Sequence, residues 1–311
     1  MHRLSFRTTV LLFLIGLIAR PEVLWAHGVV GQRFFPAGIV VDDPFPADEL
    51  TLASPSTIKT PDGRESAVGF EYQKRLSPNL GLAIGDEYVS IKPEDPAEPK
   101  LRGFNNPEFS LIYSMFKSPD HEYIASTALH VSPGGIGKEG IREEMSHVEP
   151  ALMLGKGLGD LPDSFGFLRP IAIVGQASVE LPWGHADDPA ELASVLNYGL
   201  VIEYSIPYLQ SFVKDIGIPW PFSKMFPIVE LTYSEPISGP DAHHGATGYV
   251  NPGIVWAGKY IELGLEAQIP LNDRTGKSTG VVGLVHLFLD DMAPGVFSWT
   301  PFSGTLGSTQ R

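Results

Sequence analysis

Between residues 194 and 206 the side chains fall into two alternating rows: Leu196, Tyr198, Leu200, Ile202, Tyr204 and Ile206 in one, Asn197, Gly199, Glu203 and Ser205 in the other. A period of two places alternate side chains on opposite faces of an extended chain, so this segment reads as a strand with one apolar and one polar face. The rhythm recurs along the chain. Val68, Phe70, Tyr72 and Leu76 oppose Ala67, Gly69, Glu71, Gln73 and Arg75, and Ile261, Leu263, Leu265, Ala267 and Ile269 oppose Tyr260, Glu262, Gly264, Glu266 and Gln268. No helical period competes with it after the opening segment. The pattern predicts about twelve strands, over 50–59, 66–76, 80–92, 107–117, 121–132, 147–156, 167–181, 194–206, 225–236, 249–256, 259–270 and 278–290.

Strands averaging about eleven residues suit a tilted crossing of a bilayer better than the shorter strands of a soluble sandwich. The connections add a second signal. Ser77-Pro78-Asn79, Lys117-Ser118-Pro119-Asp120 and Ala257-Gly258 are short, whereas 93–106, 133–146, 182–193 and 237–248 are longer and rich in Pro, Gly and charge. Such alternation is expected when one barrel end carries tight turns and the other external loops. The link over 207–224 is long where a short one is expected, and a short helix or extra hairpin around Leu209 to Ile216 would fill it. Trp183, Tyr208, Trp220, Trp256, Tyr260 and Phe288 cluster near strand ends, where amphipathic rings would form interfacial girdles. The fold class expected is therefore all-β, an antiparallel transmembrane β-barrel over 50–290, with an irregular lead at 27–49 and a tail at 291–311.

The first residues agree with that location. Arg3 and Arg7 precede the apolar run from Val10 to Ala19, and Leu24-Trp25-Ala26 stands before His27. This is the layout of a secretory signal peptide over 1–26, with cleavage expected after Ala26. The 22 Lys/Arg against 36 Asp/Glu give a net charge of −14, and loss of Arg3, Arg7, Arg20 and Glu22 with the leader makes the balance more negative. Such a surface disfavours nucleic acid, which needs a cationic footprint. There is no cysteine, so stability must come from burial and a closed hydrogen-bond network. The 33 glycines and 28 prolines fit many strands joined by turns.

The strand and turn rhythm, the run Gly155-Lys156-Gly157-Leu158-Gly159-Asp160-Leu161-Pro162 and the segment from Val250-Asn251-Pro252-Gly253 to Pro270 carry a resemblance over residues 66–290. The chain resembles outer-membrane β-barrels of the uncharacterised transporter type, including those grouped with aromatic-degradation pathways. The resemblance implies a porin-like transporter; taken with the residues, the chain reads as a non-enzymatic channel or transporter for small solutes, hydrophobic or cationic. The resemblance further implies outer-membrane lipid and the barrel assembly machinery as partners. In that group the last strand ends in an aromatic residue read during assembly; here Phe288 is the nearest equivalent, followed by 23 more residues, among which Phe302 could serve.

Five glutamates, Glu71, Glu203, Glu230, Glu262 and Glu266, fall on polar strand faces and are the candidates for lining a wet lumen, where carboxylate rings favour cations. The competing reading pairs them with Arg75, Arg169 or Lys259 as wall supports. His27 would become the mature amino terminus, and an imidazole beside a free amine can chelate copper; a periplasmic copper-binding β-protein is thus the first alternative. His243 and His244 are adjacent in a loop and form a weak metal candidate. His130 and Ser132 share a strand face as in barrel phospholipases, which makes an outer-membrane hydrolase the second alternative, but no asparagine is at hand to orient the imidazole. The glycine run at 155–159 lacks the lysine-hydroxyl pair and helix of a phosphate loop and reads as turn glycine. No cofactor is expected.

Overall fold

The computed structural model describes residues 28–60, 63–184, 192–240 and 242–302. The predicted signal peptide, His27 and Asp241 lie outside them. Fifteen strands form in chain order, beginning with a small hairpin of β1 (Val29–Val30) and β2 (Arg33–Phe34). The long strands follow: β3 (Glu49–Thr60), β4 (Gly63–Ser77), β5 (Leu80–Pro93), the short β6 (Leu101–Phe104), β7 (Glu108–Ser118), β8 (Tyr123–Ser132), β9 (Ser146–Gly157) and β10 (Ile171–Trp183). The set is completed by β11 (Val195–Tyr204), β12 (Met225–Pro236), β13 (Thr247–Ala257), β14 (Ile261–Pro270) and β15 (Gly280–Phe288).

Twelve of these close into one antiparallel barrel. Neighbours in sequence are neighbours in the sheet, β15 returns to β3, and β6 is a short flap on β5 beside the β5–β7 pairing. Closure removes the unpaired edges that an open sheet of this width would expose. Among the described residues no helix is long and apolar enough to span a bilayer. The outward rows are mostly oily: Leu82, Ile84, Leu111, Tyr113, Leu152, Leu154, Tyr198, Ile202, Ile254 and Leu265 are all exposed. Tyr198 and Tyr233 pair across β11 and β12 on this surface, ring centroids 6.4 Å apart.

Inside one half of the barrel lies residues 28–48. Val30, Phe35, Val41 and Phe45 pack on Ile124, Ala172, Val174 and Val201 of the wall, while Phe34 and Ile39 pack on Phe226, Ile228, Val255, Leu284 and Phe288. These inward wall positions are apolar because they meet this plug and not water. The β1–β2 turn is tight: Gly31 takes φ 64°, and a Cβ there would lie 2.2 Å from the Pro119 carbonyl oxygen, so only glycine passes.

Several boundaries and positions differ from expectation. The strand expected from 167 begins at Ile171, because Asp163–Leu168 winds into a 3-10 turn. The connection at 205–224 contains a helical turn at Ile206–Tyr208, a π-helical stretch at Leu209–Val213 and a 3-10 turn at Phe222–Lys224. With 158–170 it gives the end that carries the chain termini two long connections, so loop length does not separate the two ends cleanly. Tyr208 and Phe288 are no girdle residues: Tyr208 is buried beneath Arg33, and Phe288 points inward, 6.4 Å from Phe34. Trp183 and Trp220 are exposed, as girdle residues should be.

Candidate functional site

Above the plug the barrel opens into a cavity of about 450 Å³. Its floor is Ala37 to Ile39 with Asp42 and Asp43, and its walls come from β15, β3, β4, β5 and β7 to β10. Among the described residues ten carboxylates line it, from Asp42 and Asp43 on the plug to Glu87 and Glu180 on the wall, and no Lys or Arg does. Neutral groups and histidines orient them. Glu149 accepts from Ser178 Oγ and from Asn197 Nδ2 (3.1 Å), Glu87 from Asn105 (3.3 Å), and Glu143 and Glu49 lie 2.9 and 3.2 Å from His147 and His286. Among the described residues that line the cavity, the basic side chains are three histidines, His130, His147 and His286, against ten carboxylates, so the field in the lumen is negative on balance. Enclosure by protein raises the pKa of Asp42, partly offset by His130; enclosure and the nearby Glu49 raise that of Asp43.

The five glutamates singled out from sequence do not form one ring. Glu71 lines the cavity, whereas Glu203, Glu230, Glu262 and Glu266 are buried on inward wall positions. Two of these four hold the plug. Glu230 accepts backbone N–H bonds from Ile39 (2.7 Å), Val40 (2.9 Å) and Val41 (2.8 Å), and Glu262 accepts one from Ala37 (3.1 Å). Arg75 and Arg169 do not serve these glutamates: Arg75 pairs with Asp48 and Asp290, and Arg169 with Asp163. Most of the cavity's carboxylates went unselected in the sequence. Strand parity points to them, since Glu108 is in phase with Ser110 and Ile112, and Glu149 with Ala151 and Met153.

More contacts fasten the plug. Gln73 accepts from the Ala47 amide and Ser126 donates to the Pro44 carbonyl (2.6 Å). Arg33, fully buried, donates to Glu122 (3.1 Å), to the Pro170 carbonyl (2.8 Å) and to the Arg169 carbonyl, and its guanidinium lies 3.9 Å from the Tyr208 ring centroid. The glycine run reads differently in this light. Gly155 and Gly157 belong to β9, and a Cβ at Gly157 would lie 2.2 Å from Glu122 Oε2 and 2.7 Å from Arg33 Nε. Gly157 makes room for a buried ion pair and Gly155 for Ile124 and the plug residues Phe35 and Pro44, while Gly159 sits in a turn. Removing one partner of such a pair strands the other's charge, at about 3–5 kcal/mol. Arg33→Met should therefore lower the temperature at which the folded, fast-migrating gel band converts to the unfolded one, and Arg33→Met with Glu122→Gln should recover much of that loss.

The remaining candidates are placed as follows. His130 Nδ1 lies 2.8 Å from Ser110 Oγ and 3.3 Å from Glu108 Oε1, across the β7–β8 pair. Hydroxyl and carboxylate thus meet the same ring nitrogen, whereas a nucleophile relay needs them on opposite nitrogens. Ser132 lines the cavity with no bond to His130 among the described residues. His243 lies 3.2 Å from Glu235 in an exposed turn, and among the described residues no three metal-ligating side chains converge.

No protein-family model matches the chain, and no curated protein matches it in sequence. Solved structures do. An outer-membrane channel from Pseudomonas putida F1 is 12% identical, with a TM-score of 0.50 over 77% of this chain and 93% of that one. The NanC porin is 8% identical (TM-score 0.49, 76% and 98% covered), and outer membrane phospholipase A from Escherichia coli 11% identical (0.38, 78% and 93%). Together with the closed twelve-strand sheet, the likeness to the channel gives this chain the fold of an outer-membrane β-barrel.

Proposed function

We propose that this protein is an outer-membrane channel that admits small cationic solutes through the carboxylate-lined cavity and is closed at the opposite end by residues 28–48. One observation carries the reading: among the described residues, ten carboxylates and no Lys or Arg line the space above the plug. Rings of fixed negative charge concentrate cations and repel anions. The plug is held by hydrogen bonds, by the ion pairs of Arg33 with Glu122 and of Asp48 with Lys74 and Arg75, and by apolar contacts, all reversible, so passage requires it to shift while the wall stays closed. A hydrophobic solute, the other class expected from sequence, finds no complement to its chemistry in ten carboxylates. The end with the cavity mouth faces outward in this reading, and lipid and the barrel assembly machinery are the macromolecular partners.

Liposome swelling tests it. Vesicles containing the protein should admit a small diamine faster than a dicarboxylate of equal size, and Glu71→Gln with Glu149→Gln should narrow the gap. Faster entry of the dicarboxylate would reverse the proposal.

A further inference from the structure

The long connection at 205–224 and the C-terminal segment leave the strands at the same barrel end; the connection first caps the plug at Tyr208, and its later residues and the C-terminal segment turn back along the outer surface. Trp256 lies on the outward row of β13 with Ile254, and its indole Nε1 donates to the Pro221 carbonyl (3.2 Å), which seats 219–224 against the outside of the wall. The C-terminal segment does the same further round. Leu289, Met292 and Phe297 pack over Ile261 and Leu287, outward positions of β14 and β15 that a bare barrel would present to lipid and that are here buried. Lys74, on the outward row with Phe70 and Tyr72, donates to the carbonyls of Phe297 and Trp299 (2.7 Å each), and the Phe302 amide bonds the Leu76 carbonyl (3.0 Å). A cation on the outward row is thereby covered by backbone on one side and paired with the buried Asp48 on the other.

What these segments show to their surroundings is apolar in turn. Trp220, Phe222, Val296 and Trp299 are each 55–60% exposed. A soluble face would carry polar groups here. We infer that the two segments form a collar embedded in the bilayer leaflet at the chain-terminal end, its partner being phospholipid at the headgroup–acyl boundary. The argument rests on the membrane reading of the strands: the collar replaces lipid over Ile261 and Leu287, and its own exterior continues the oily band of Ile254 and Leu265. Trp and Phe at that depth are where amphipathic and apolar rings partition, and Lys214 and Lys224 in the same connection are within the stretch that would meet phosphate groups.

Single-tryptophan proteins test the collar. Trp220 or Trp299 is kept alone, the other tryptophans being changed to Phe, and the protein is reconstituted in vesicles of phosphatidylcholine brominated on its acyl chains. Bromolipid should quench both residues strongly and aqueous iodide only weakly. A third protein, with Leu265→Trp as its single indole, reports on the barrel wall. If Leu265→Trp is quenched by bromolipid and the collar residues by iodide alone, the collar sits in water as a docking face for a soluble protein and the inference fails. If the collar residues meet neither quencher and the particle mass is that of two or more copies, the face is an interface between copies, which also overturns it. If Leu265→Trp itself escapes bromolipid, the membrane reading fails first.

Discussion

A disulfide between positions 41 and 199 should shut the channel, and a reductant should open it again. The ideal Cβ position at Gly199 lies 3.4 Å from Val41 Cβ, just short of the roughly 3.5 Å at which the disulfide range begins, so a shift of about a tenth of an ångström seats the bond. The chain has no cysteine to compete. Val41→Cys with Gly199→Cys therefore ties the plug to β11 next to the three amides that Glu230 holds. In planar bilayers the oxidised protein should show no openings and the reduced protein should regain those of the wild type. The single substitutions should conduct under both conditions. Equal conductance in the oxidised and reduced states would mean that solute passes without displacement of this segment.

The second large effect is expected at the lipid face. Leu265 is 57% exposed at mid-strand in β14. Arginine there costs about 2–4 kcal/mol near the bilayer midplane, so Leu265→Arg should sharply reduce the amount of protein recovered folded from membranes. Its neighbour Glu266 faces inward and is buried, with no hydrogen-bond partner for either oxygen among the described residues, so Glu266→Gln should assemble to wild-type levels. Heat-dependent gel mobility reads both. Equal damage from the two changes would describe a sheet buried on both faces, as in a soluble sandwich.

The twelve wall strands were legible because a membrane barrel exposes each strand to two contrasting surroundings in strict alternation. Residues 196 to 204 show why: Tyr198 and Ile202 face outward and Gly199 and Glu203 inward. Val201 breaks the polar row, and the structure gives the reason, since it packs with Val41 of the plug. Val174, Ile228, Val255, Val282 and Leu284 break the inner row in the same way. The plug itself left no such trace. Its apolar residues stand among prolines and glycines with no period, and their partners are spread over the whole barrel, more than a hundred residues away in places. The grouping of glutamates failed for the same reason: parity shows that Glu203 and Glu71 both face inward but not that a folded-back segment covers one and leaves the other wet. Tyr208 was misread because its ring answers to Arg33, a contact that no local pattern announces.

The most direct test of the account is the reversal potential of the purified protein across an asymmetric KCl gradient. A lumen governed by the carboxylates above the plug predicts a potential displaced toward that of potassium. Glu71→Gln with Glu149→Gln should move it toward zero, and so should high salt, where the screening length falls to about 3 Å. Because Asp42 and Asp43 release their protons later than ordinary carboxyls, the displacement should grow as pH is raised. A potential on the chloride side, or one that ignores both substitutions, would contradict the cation-selective reading.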